Sequence, residues 1–191
     1  MGCQPNSQTV QLAVVAGHVE VLQWAHEEHS LQFGASHLGW AARYGHRACF
    51  KYMLSQRCAV SVAVCVAAAA GPHSQMLQQL VEVEHCELTA QMTLEATIDG
   101  RAHNFINLRF KQCPIVSPYR VYSLALTTDC CDIMDYMWGR GDGITAQEAT
   151  ELLQLAGAIP AMQCARWLWA HNANLPESLE QWTQSTNARS Q

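Results

Sequence analysis

Of the 191 residues, 49% are hydrophobic and only 14% are Asp, Glu, Lys or Arg, where ordinary soluble domains carry about 25% charge. That apolar content can offset the entropy of ordering, which argues against disorder, and the length suits a single domain. Eleven basic and sixteen acidic residues leave a net charge of −5, which argues against a global attraction to nucleic acid or to an anionic membrane.

The chain opens on Met1-Gly2-Cys3, but Asn6 stands where an N-myristoylation signal requires Ser or Thr, so no lipid anchor is expected. Met1 to Val10 also lacks the basic and apolar blocks of a secretion signal. Nine cysteines, an odd number in a chain too long for a disulfide miniprotein, point to reduced thiols and a cytoplasmic or nuclear location.

From Leu12 onwards a motif recurs. Leu12-Ala13-Val14-Val15-Ala16-Gly17-His18 matches Trp40-Ala41-Ala42-Arg43-Tyr44-Gly45-His46, and Gly17 and Gly45 are 28 residues apart. Weaker copies run through Val66-Ala67-Ala68-Ala69-Ala70-Gly71 and Glu95-Ala96-Thr97-Ile98-Asp99-Gly100, then Leu124 to Asp129 and Leu152 to Gly157. A second marker, Ser30, Cys58, Cys86 and Cys113, closes successive units at spacings of 28, 28 and 27. Each unit reads as a helix pair: an apolar run with adjacent small residues, a Gly, then a second apolar-periodic run such as Cys49, Phe50, Tyr52 and Met53. Gly17, Gly45, Gly71 and Gly100 are the expected turn residues, supplying the positive φ of a tight helix-to-helix turn. The apolar run Val62 to Gly71 is about half the length of a membrane span and reads as a buried helix. No strand signal recurs. The expected fold is therefore all-α, an α-solenoid of about six stacked helix-turn-helix repeats over residues 9–175, within one domain covering 1–191, with a polar C-terminal tail at 176–191 in which Trp182 is the final aromatic.

The string Ser36-His37-Leu38-Gly39-Trp40-Ala41-Ala42-Arg43-Tyr44-Gly45-His46 resembles the ankyrin pattern T-P-L-H-x-A-A-x-x-G-H, although no unit keeps both its Pro and its His. The unit is nearer 28 residues than the 33 of ankyrin repeats. Its closing Arg57-Cys58 and Gln112-Cys113-Pro114 resemble the ends of short ankyrin-like repeats. The resemblance implies an abbreviated finger between units, and binding of another protein along a concave groove lined by the first helices. It also implies that the two residues before each turn Gly are exposed in that groove: Val15-Ala16, Arg43-Tyr44, Ala69-Ala70, Ile98-Asp99 and, more loosely, Thr127-Thr128. Arg43, Tyr44, Ile98 and Asp99 are the candidate partner-binding residues, because Arg and Tyr are enriched at interface hot spots.

Motifs for chemistry are missing. There is no Cys-x-x-Cys, and His26-Glu27-Glu28-His29 does not make the zinc-binding His-Glu-x-x-His helix. Vicinal Cys130-Cys131 point to different faces of a helix, and Cys58, Cys86 and Cys113 have a packing role at equivalent repeat positions. Gly139 to Gly143 fits no phosphate-binding or nucleophile motif and reads as a helix end before a capping box formed by Thr145 and Glu148. No catalytic residue, metal ligand or cofactor is expected, and neither nucleic acid nor membrane is an expected partner. The leading expectation is a non-enzymatic protein-binding module, monomeric or part of a larger array. The competing one is a metal-binding or redox-sensing protein, or a cysteine-dependent enzyme, built on the thiols and imidazoles.

Overall fold

The computed structural model describes residues 4–156 and 162–171. These hold twelve α-helices and no strand, so the all-α expectation holds. None of the described helices is long and apolar enough to cross a membrane. Met1-Gly2-Cys3, the sixth turn at Gly157 and the tail 176–191 with Trp182 lie outside the described residues.

The helices come in successive pairs: α1 (Ser7–Ala16) with α2 (Val19–Glu27), α3 (Ala35–Tyr44) with α4 (Arg47–Ser55), α5 (Val62–Ala70) with α6 (Ser74–Glu82) and α7 (Ala90–Ile98) with α8 (Ala102–Phe110). They continue as α9 (Pro118–Thr127) with α10 (Cys131–Gly139) and α11 (Ala146–Ala156) with α12 (Met162–His171). The chain, expected to form one repeat domain, divides between Pro114 and Ile115 into two compact units. In the first, α1 packs on α3, α3 on α5 and α5 on α7, with α2 on α4 and α6 on α8; in the second, α9 packs on α11 and α10 on α12. These contacts are consistent with a helical repeat.

Several helices start or stop for an identifiable local reason. Asn6 accepts the Thr9 N–H at the head of α1, and Ser117 accepts the Arg120 N–H at the head of α9, where Pro118 supplies a preset φ. At the end of the first helix in four units the backbone N–H of the residue opening the second helix returns to an alanine five positions back. His18 bonds to the carbonyl of Ala13 (2.9 Å), His46 to Ala41 (2.9 Å), Arg101 to Ala96 (2.6 Å) and Cys130 to Ala125 (2.9 Å). All four alanines are buried, as is Ala68 at the matching position of the third unit. Only a small side chain leaves room there for the next helix to come close.

The left-handed residue just before that N–H is Gly17 (φ 78°), Gly45 (φ 82°) or Gly100 (φ 62°), as expected, and Asp129 (φ 50°) in the fifth unit. Gly71 is a correction: its φ of −72° and ψ of 161° are extended. The second helices open on His18, His46, His73, Arg101 and Cys130, so the residue matching Gly45 in the third unit is Pro72. Proline cannot take positive φ. Gly71 is needed for a different reason, since a Cβ there would lie 2.3 Å from the Ala42 carbonyl oxygen of the neighbouring repeat. Ala69 and Ala70, expected to be exposed, are both buried, and the shift accounts for Ala69 by aligning it with the buried Ala42.

The closing marker shifts as well. Ser30, Arg57, His85, Gln112 and Gly141 all have positive φ. The residue after each returns its N–H to the second helix: Leu31 to Ala25, Cys58 to Met53, Cys86 to Leu80, Cys113 to Leu108 and Asp142 to Met137, at 3.0–3.2 Å. Leu31, not Ser30, is thus the counterpart of the three cysteines. The core spine runs through the second helices, with Leu22, Phe50, Leu77, Phe105 and Met134 buried at one repeat position and Ala25, Met53, Leu80, Leu108 and Met137 at another. Burying a side chain as large as Phe50 or Phe105 contributes about 2–3 kcal/mol each.

Candidate functional site

The four candidate binding residues lie at the C-terminal ends of α3 and α7, and the structure brings two of them into direct contact. The Arg43 guanidinium reaches the Asp99 carboxylate at 2.9 Å and the Glu95 carboxylate at 3.6 Å. Glu95 and Asp99 are four residues apart, one turn above the other on α7. Helix α5 lies between α3 and α7, packed on both. Arg43 can span it because α5 carries mostly alanine: Ala63 and Ala67, with Gly39, Trp40 and Arg43 of α3, line a cavity of about 330 Å³. Asp99 as a partner of Arg43, and Glu95 as a third member, were not foreseen, because the repeat register alone does not say which helix an arginine will reach.

Tyr44 is 51% exposed and Ile98 39%, each next to a member of this ion cluster. The Tyr44 ring stacks against His46, whose Nε2 donates to the Val15 carbonyl of the preceding repeat at 2.8 Å. Leu12 and Val15 of α1 are also exposed. The first helices α1, α3 and α7 therefore carry exposed apolar groups, and α3 and α7 also carry one cation and two carboxylates with a formal charge of −1. An exposed ion pair of this kind contributes about 0.2–1 kcal/mol to stability, so the cluster is a modest brace. His37, at the head of α3, is buried and its Nδ1 accepts the Gly34 N–H at 3.0 Å; burial lowers its pKa.

Thiols are where the structure departs most from the sequence reading. Cys58 and Cys113 are buried packing residues as expected, donating to the carbonyls of Phe33 and Thr89, and burial pushes the Cys58 thiol up and Cys113 to about 11. Cys86, at the same repeat position, is instead joined in a disulfide to Cys65 of α5, so the expectation of uniformly reduced thiols is corrected. The reason is positional. Cys65 stands where α3 has Leu38 and α7 has Thr93, so only the third unit sets a second cysteine opposite the closing one.

In the second unit Cys131 pairs with Cys164 across 33 residues, their sulfurs 3.3 Å apart, with a carboxylate oxygen of Asp129 close by. The vicinal Cys130 lies outside that group. Nearby, Tyr122, Trp138, Trp167 and His171 form a continuous aromatic cluster, and the Trp167 indole donates to Asp135. The expected capping box is present: the Thr145 N–H donates to Glu148 at 2.8 Å and the Glu148 N–H to Thr145 at 3.3 Å. Compared with known proteins, the chain matches no protein-family model, no curated protein and no solved structure.

Proposed function

We propose that the chain is a non-enzymatic, ankyrin-like α-solenoid that binds another protein across the exposed ends of its first helices. The observation that carries this reading is the ion cluster of Arg43, Glu95 and Asp99, flanked in sequence by the exposed Tyr44 and Ile98, with Arg43 also lining a cavity that Ala63 and Ala67 help to form. Small residues keep α3, α5 and α7 close, so side chains from two repeats fall within reach of one ligand segment. An Arg already held by two carboxylates is pre-organised, which limits the side-chain entropy lost on binding. The excess carboxylate suits a partner segment that offers a basic side chain beside a small apolar one.

Replacing Arg43 and Tyr44 together with Ala tests this. The expected result is unchanged helical circular dichroism and at least a tenfold loss of affinity for a partner captured by the intact protein. Unchanged affinity would move the binding surface elsewhere.

A further inference from the structure

We propose that Asp129, Cys131 and Cys164 form a zinc-binding site that fastens α12 to the turn between α9 and α10. The three residues come from separate places in the unit. Asp129 sits in the left-handed turn after α9, Cys131 is the first residue of α10, and Cys164 is the third residue of α12. One donor atom from each lies within 4.8 Å of the other two, and the sulfurs are 3.3 Å apart.

The carboxylate is already oriented. Asp129 accepts the N–H groups of Gln163 (3.1 Å) and Cys164 (2.9 Å) at the head of α12, which fixes its position relative to Cys164 and leaves lone pairs over, since a carboxylate offers about four. Burial pushes both thiols up, so the ion itself has to displace their protons. Zinc held at about 2.3 Å by each sulfur places them about 3.8 Å apart across a tetrahedral centre, so each thiol needs to give way by only a few tenths of an ångström. Two sulfurs and one carboxylate oxygen suit a borderline-soft divalent ion, with the fourth position open to water. Binding replaces the two thiol protons with the cation and releases both to solvent.

Two of the three ligands are half-buried, Asp129 as well as Cys131. Cys164 is fully buried, so an ion enters past Asp129 and Cys131. A redox pair accounts for the two sulfurs but leaves the carboxylate without a role, since it does nothing for disulfide exchange.

The test is titration of the reduced full chain with cobalt(II), whose thiolate charge-transfer and tetrahedral visible bands report the donor set, followed by displacement with zinc. One cobalt per chain with both bands is expected, lost in Cys131→Ser and in Cys164→Ser, weakened roughly tenfold or more in Asp129→Asn, and kept in Cys86→Ser and Cys113→Ser. Because Cys164→Ser alters a buried position, differential alkylation of the unmodified protein provides a second readout, in which zinc should shield Cys131 and leave Cys130 reactive. Three results would overturn the site: no cobalt bands, bands that persist in Cys131→Ser, or a Cys131–Cys164 disulfide in the isolated protein with no metal uptake after reduction.

Discussion

The two compact units are both built of successive helix pairs and fasten them with different polar chemistry. In the first, side chains at the start of a second helix donate to carbonyls at the end of the preceding first helix: His46 to Val15, Arg101 to Ala70, and the buried Asn104 to Ala69 and Gly71, both at 2.9 Å. In the second, the turn residue Asp129 accepts from the backbone at the head of α12. The first unit thus joins its helix pairs through side chains that donate to carbonyls, whereas the second adds a carboxylate that accepts backbone N–H groups to one donor of the first kind, the Cys164 thiol to the Ala125 carbonyl at 3.7 Å. Both answer the same need, since each helix end leaves backbone groups without intrahelical partners. The difference teaches that the repeat position, and not the residue type, is what persists as copies diverge.

The glycines offer the most forceful way to break this comparison. Gly71→Ala drives a Cβ into the Ala42 carbonyl, with the Ala68 carbonyl also 3.2 Å away, and backbone cannot step aside as a flexible side chain can. A loss of about 3 kcal/mol is expected, the upper end for overpacking. Gly141→Ala in the second unit meets nothing within 4 Å and carries only the cost of its φ of 81°, about 1 kcal/mol. Urea denaturation of the two variants should rank them in that order. Equal losses would mean that the repeats of the first unit do not approach as closely as described.

A smaller effect separates the units by pH. His37 at the head of α3 is held neutral by burial, with its pKa below the usual 6.5. Its counterpart in the second unit, Glu148 at the head of α11, is held ionised by the Thr145 backbone and hydroxyl, with its pKa below the usual 4.5. Both shifts are downward, so in each case the unfolded chain takes up a proton first and stability falls on acidification. The windows differ. The His37 contribution is complete above pH 6.5 and declines below it, while that of Glu148 is complete above pH 4.5 and is lost only below that. His37→Gln should flatten the thermal stability of the protein between pH 6.5 and 5.5, and Glu148→Gln should leave that interval unchanged.

Much of the fold was legible in the sequence, because a repeat states its spacing several times over. The turn glycines 17, 45 and 100, the helix pairs and the Thr145–Glu148 box are all consequences of local chemistry. What failed was register in the third unit, where Gly71-Pro72 looks like a shifted copy of Tyr44-Gly45 and only the buried alanine series from Ala13 to Ala125 reveals the true alignment. Contacts between repeats were less visible. Arg43 reaches Asp99 across 56 positions because an intervening helix carries alanine, and Cys131 meets Cys164 because α10 packs on α12. A search for closely spaced Cys and His cannot find a site assembled by stacking. The clue that was available is the period itself: Cys164 falls one repeat plus an insertion after Cys131.

The most direct test of the proposed binding surface is site-specific photo-crosslinking from inside cells. A photoreactive phenylalanine analogue is placed singly at Tyr44, at Ile98 and at Phe110, the last being 69% exposed on the second helix of its pair. The account predicts the same crosslinked partner from positions 44 and 98 and none from position 110. A partner trapped from position 110, with positions 44 and 98 silent, would contradict it.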